Sequence, residues 1–152
     1  DDNSGVTIST SASSSDTSYN ELNPLDVLVS NQDDDVAGIT LYPTHLTTTE
    51  GGGLATFTVV LDSEPLVAVT VGLMSSNAAE GTLSAPSLTF GVTDWSTAQT
   101  VTVTGQDDVA VDGPVAFTVV TLDATAFGDP HYQLFNAIDY GNVLSERQRV
   151  VE

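Results

Sequence analysis

Thr100–Thr104 reads TVTVT, and Gly105–Pro114 continues it as GQDDVAVDGP. Strict alternation of apolar and polar β-branched residues is the pattern of a half-buried strand, because successive side chains point to opposite faces. The glycine-bounded segment after it reads as a loop, since Gly and Asp supply the backbone freedom and local hydrogen bonding of turns. Another strand-like run, Val115–Thr121, follows at once. Three carboxylates, Asp107, Asp108 and Asp112, crowd the loop between the two strands. They repel one another unless a hard cation neutralises them, and Ca²⁺, with oxygen ligands and flexible geometry, is the ordinary candidate. A solvated acidic turn is the plain alternative.

The same rhythm extends in both directions. Towards the N-terminus, Ser87–Phe90, Thr82–Leu83, Val67–Met74, Ala55–Leu61 and Val36–Tyr42 read as short strands. They are separated by turns at Pro86, Ser75–Gly81, Asp62–Pro65 and Glu50–Gly53. A final strand is expected within Ile138–Leu144, and Thr93–Ala98 is the one place where a helical turn is expected. Many short strands with turn signals every dozen or so residues predict an all-β, immunoglobulin-like antiparallel β-sandwich of about seven strands. Ahead of it, Val6–Thr10 and Leu25–Ser30 read as an extra two-strand segment, joined by the Ser-rich stretch Ser9–Ser18 and closed by the acidic turn Asn31–Asp35. Two strands alone bury too little to be stable, so this segment is expected to lean on something else.

Composition narrows the function classes. The chain has 152 residues, a net charge of −19 and 40% hydrophobic residues. The only basic side chains apart from histidine are Arg147 and Arg149. A nucleic-acid binder requires a basic face to displace counterions, and an anionic membrane surface repels so acidic a chain. No apolar run reaches membrane-spanning length. With no cysteine there is neither a disulfide nor a thiolate metal site. The start at Asp1–Asp2 lacks a basic-then-apolar leader and reads as a mature or excised segment.

An internal repeat sets the organisation. Asp16–Asp26 (DTSYNELNPLD) and Asp129–Asp139 (DPHYQLFNAID) share Asp, Tyr, Asn and Asp at a constant offset. Val6–Thr10 likewise matches Phe117–Thr121 after a small gap. Residues 1–34 are therefore expected to be the last two strands of one repeat, residues 35–145 a nearly whole second repeat, and residues 146–152 a tail. The equivalence of Tyr19 and Tyr132 suggests a structural duty, such as a hydroxyl that holds the turn to the backbone.

Together these strings resemble a known family. T-T-E-G-G-G-x-A-T-F-T-V-V-L-D-S-E-P at Thr48–Pro65, then L-T-F, Trp95, Q-T-V-T-V-T-G-x-D-D and D-G, is similar to the Calx-β family. The closer likeness is to the Calx-β-like repeats of large bacterial surface and adhesion proteins. The resemblance implies an immunoglobulin-like sandwich with Ca²⁺ at one end, near the junction with the next domain. Its metal ligands would be Glu50 in the E-G-G turn and Asp107, Asp108 and Asp112 in the acidic loop. The acids after the last strand would complete them, for which the matching string is Asp33, Asp34 and Asp35. That string closes the partial copy, whereas the whole copy ends in Tyr140–Glu152 without it. Asp112 is an aspartate where the family often has glutamate, and Asp1 and Asp2 would correspond to Asp107 and Asp108.

The expected function is a non-catalytic, calcium-binding spacer or fibre-forming module of an extracellular or cell-surface bacterial protein. Its partners would be neighbouring copies, joined end to end or by strand exchange. A boundary set within a long array is the plainer reading of residues 1–34 and is preferred to assembly between copies. The rival reading is a carbohydrate-binding module for surface glycans, with Trp95, Tyr42, Tyr132 and Phe135 as candidate platforms. His45 and His131 lack zinc-type spacing. There is no G-x-S-x-G nucleophile turn and no cleft-building insertion, so no enzyme is expected.

Overall fold

Alternation at Thr100–Thr104 folds as a strand with Val101 and Val103 wholly buried and the threonines between them partly exposed. The computed structural model describes residues 4–109, 113–136 and 142–146. Asp1, Asp2, Asp112, Asp139, Arg147 and Arg149 lie outside them. The chain divides into two units, Asp1–Asp35 and Val36–Glu152. Among the described residues all regular structure is β.

The first unit holds β1 (Ser4–Ile8) and β2 (Val27–Asn31), paired antiparallel with Ser4 opposite Asn31 and Ile8 opposite Val27. The second unit holds β3 (Ile39–Tyr42), β4 (Leu46–Thr49), β5 (Leu54–Leu61), β6 (Val69–Ser75), β7 (Gly81–Leu83), β8 (Ser87–Phe90), β9 (Gln99–Gly105), β10 (Val115–Thr121) and β11 (Asn142–Glu146). These form two sheets, in the orders β3-β5-β9-β7 and β4-β11-β10-β6-β8. All pairings are antiparallel except β4 with β11, which is parallel and sets Leu46 opposite Val143 and Thr49 opposite Glu146.

The inner faces of both sheets supply one core. Ile39, Leu41, Phe57, Val59, Leu61, Val101 and Val103 come from the first sheet, and Val69, Val71, Leu73, Leu88, Phe90, Phe117 and Val119 from the second. Each such side chain, fully buried, contributes roughly 1.5–3 kcal/mol before the entropy of ordering is set against it. The second unit is thus an immunoglobulin-like antiparallel β-sandwich.

Two local expectations are revised. Thr93–Ala98 folds as turns, with Thr97 N donating to Asp94 O at 2.9 Å. β4 is a strand the sequence conceals: Leu46–Thr49 reads LTTT, and only Thr48 is fully buried. Its partner β11 lies at the far end of the chain, so no local pattern announces the pairing. The chain switches from one sheet to the other between β3 and β4, at Pro43.

The stretches matched by the sequence offset share backbone features. In the first unit Ala12 N donates to Leu22 O and Glu21 N to Ala12 O, both at 3.0 Å. In the second, Ala124 N donates to Phe135 O at 2.8 Å and Leu134 N to Ala124 O at 2.9 Å. Glu21 and Leu134, equivalent by the sequence offset, both adopt left-handed backbone, with φ of 65° and 64°.

Candidate functional site

The turn from β4 to β5 is built by its glycines. Gly52 has φ of +83°, a conformation other residues rarely adopt, and its N–H donates to Glu50 O at 2.7 Å. Gly53 N donates to Thr49 O at 2.9 Å. Gly105, which ends β9, donates from its N–H to Gly53 O at 2.9 Å. A Cβ on Gly105 would collide with the Thr49 carbonyl, so glycine lets the two segments meet backbone to backbone. The next residue, Gln106, donates from its N–H to Glu80 O at 3.0 Å and draws in the turn before β7. The β4–β11 register brings the exit of β11 to Thr49 as well. The E-G-G turn, the root of the acidic loop and the exit of the last strand therefore share one end of the sandwich.

The side chains there are oxygen donors. Glu50 is only 4% exposed and Glu80 only 6%. Thr48 is buried, and its Oγ1 has no hydrogen-bond partner among the described residues. A buried hydroxyl left without a partner costs free energy. Asp107 and Asp108 stand exposed at the loop's root. Asp33, Asp34 and Asp35 belong to the other unit. There, Asp33 Oδ1 accepts the Asp35 N–H at 3.2 Å. Asp112 lies outside the described residues. Among those described, no three acidic or histidine side chains come close enough to hold a metal by themselves.

The donors present are carboxylate, hydroxyl and carbonyl oxygens, which suit a hard cation in kind. In number, the described side chains fall short of the roughly six to eight oxygens that Ca²⁺ takes. Glu80 was not among the expected ligands. Its signal is AAEG at Ala78–Gly81, an acid–glycine pair before a strand, as at Glu50–Gly51.

The rival aromatics fare unevenly. Trp95 is partly buried against the core, and its carbonyl accepts the Leu61 N–H at 3.3 Å. Phe135 also packs on the core, and Tyr132 is 1% exposed. Tyr42 alone of the four is well exposed, at 73%. His45 and His131 are both exposed.

Tyr132 serves the structure as its repeat position suggests. Its hydroxyl donates to Ser63 O at 2.9 Å and accepts the Ser63 N–H at 3.1 Å. Asp129 anchors the same corner: Oδ2 accepts the Leu66 N–H at 2.8 Å, and Oδ1 accepts the His131 N–H at 2.9 Å.

No protein-family model and no curated protein sequence matches the chain. Solved structures do. An apo-form Calx CBD1 domain is similar at a TM-score of 0.56 and 14% identity, over 75% of this chain and 99% of that one. The periplasmic chaperone SfaE is similar at a TM-score of 0.53 and 18% identity, over 76% of this chain and 61% of that one. A chain of the CsuC–CsuE chaperone–tip adhesion subunit complex, from the archaic Csu pili of Acinetobacter baumannii, gives 0.53 at 7% identity, over 74% and 58%. At such identities the likeness is one of fold, and the fold it shows is the immunoglobulin-like β-sandwich.

Proposed function

We propose that this chain is a non-catalytic, calcium-binding structural module of the Calx-β kind, a spacer or fibre element of an extracellular bacterial surface or adhesion protein. The observation that carries this reading is the burial of both Glu50 and a Thr48 hydroxyl that has no hydrogen-bond partner among the described residues, at the end where the glycine contact roots the acidic loop. Glu50, Thr48, Asp107, Asp108 and Asp112 would hold the ion, with Glu80 beside them. Bound there, Ca²⁺ would neutralise the crowded carboxylates and tie the loop to the E-G-G turn. A net charge of −19 and the lack of cysteine support a protein that draws stability from cations rather than from disulfides. Neighbouring copies of the module are its partners, joined end to end. Acids of the Asp33–Asp35 type would then reach the open side of the next copy's site.

Thermal unfolding in calcium and in excess chelator tests the reading. A ligand at 100 times its dissociation constant adds about 2.7 kcal/mol, which raises Tm by several degrees. Glu50→Gln is expected to lose most of that rise. An unchanged Tm in the parent chain would sink the proposal.

A further inference from the structure

The two corner loops share several hydrogen bonds, yet only one is covered. Asn20 N donates to Asp16 O and Gln133 N to Asp129 O, both at 2.9 Å. Ser18 N donates to Asp16 Oδ1 and His131 N to Asp129 Oδ1, again both at 2.9 Å. Leu22 N donates to Tyr19 O as Phe135 N does to Tyr132 O. The strands attached to the loops correspond too: Val6 pairs with Val29, as Phe117 pairs with Val143.

Burial separates them. Tyr132 is 1% exposed and Tyr19 is 61% exposed. Phe117 and Val119 are buried, whereas Val6 and Ile8 are about half exposed. Val6 and Ile8 share a face with their cross-strand partners Val29 and Val27, which are also exposed. This is an apolar patch on a two-stranded hairpin, an element of marginal stability by itself.

We infer that residues 4–31 are a preformed docking element for a second β-sandwich of this same repeat type, one that supplies the equivalents of β3 to β9. The second unit shows what such a partner must offer. It is an apolar inner face for Val6, Ile8, Val27 and Val29, a Ser63-type backbone N–H and C=O for the Tyr19 hydroxyl, and a Leu66-type N–H for the Asp16 carboxylate. Strand addition supplies the affinity through main-chain hydrogen bonds, and the tyrosine fixes the register. This rests on reading the chain as one of several like modules and is independent of the metal.

The test fuses a second copy of residues 36–113 ahead of the intact chain and is run in excess chelator, so that failure of the calcium reading does not affect it. The added segment is expected to fold on the hairpin. Amides of Val6, Ile8, Val27 and Val29 then exchange at least about tenfold more slowly than in the chain alone. Tyr19→Ser or Ile8→Asp in the fusion abolishes that protection while the Tm of the original second unit stays unchanged. The inference is overturned if the added segment stays unfolded, if the hairpin amides exchange as fast as before, or if protection survives both substitutions.

Discussion

Tyr19 and Tyr132 stand in loops of the same shape, one open to solvent and one sealed. The comparison separates what a short sequence dictates from what only a complete sandwich supplies. An aspartate whose side chain caps the following N–H groups, and a left-handed residue two positions after the tyrosine, recur in both copies. Corner geometry is therefore local, set by Asp capping and turn chemistry. The tyrosine's burial and its hydroxyl bonds are tertiary, contributed by Gly38, Ser63 and the opposing sheet.

The largest contrast is expected from removing the ring. Tyr132→Ala leaves a cavity and strips Ser63 of its partners, so it should cost about 3–5 kcal/mol in denaturant unfolding of the second unit. Tyr19→Ala in the same assay should stay within about 0.5 kcal/mol, as surface changes do. A comparable loss from both would mean that the two corners are equally packed in solution.

Next comes the capping acid. Asp129→Ala removes the acceptor of the part-buried Leu66 N–H and the buried Tyr132 N–H and should cost about 1–3 kcal/mol by the same measurement. Asp16→Ala removes only an exposed cap, and its effect should be no more than about 1 kcal/mol, read from amide exchange in the first unit.

The smallest effect should be the same in both copies. Left-handed backbone costs a non-glycine residue about 1–2 kcal/mol, partly offset by glycine's greater entropy loss on folding. Leu134→Gly and Glu21→Gly should therefore each stabilise their own loop by up to about 1 kcal/mol. Opposite signs in the two loops would show that the shared geometry is not local after all.

Much of this was legible in the sequence. Alternation in Thr100–Thr104 and Ala55–Leu61 announces strands with one buried face, and the constant offset between Asp16 and Asp129 announces the repeat. β4 was not legible, because three threonines in a row show no apolar period and its partner is distant. Within the candidate site, Glu50 stands out only through the family resemblance of its E-G-G turn. Glu80 and the Thr48 hydroxyl do not, since their burial is tertiary, and the Glu80 turn is held by a Gln106 N–H far away in sequence. Asp129 was read only as a repeat marker, because the N–H groups it anchors include one on Leu66, far away in sequence.

The parallel pairing of β4 with β11 has a mechanical consequence. Tension along the chain pulls these two strands in opposite directions along their own axes. Their hydrogen bonds are then loaded together, in shear, rather than opened one after another. A module wired this way should resist stretching far better than its equilibrium stability implies, because forced rupture is governed by the unfolding barrier. Single-molecule pulling across the second unit should therefore meet a high force peak, and breaking the β4 ladder with Thr47→Pro should lower it.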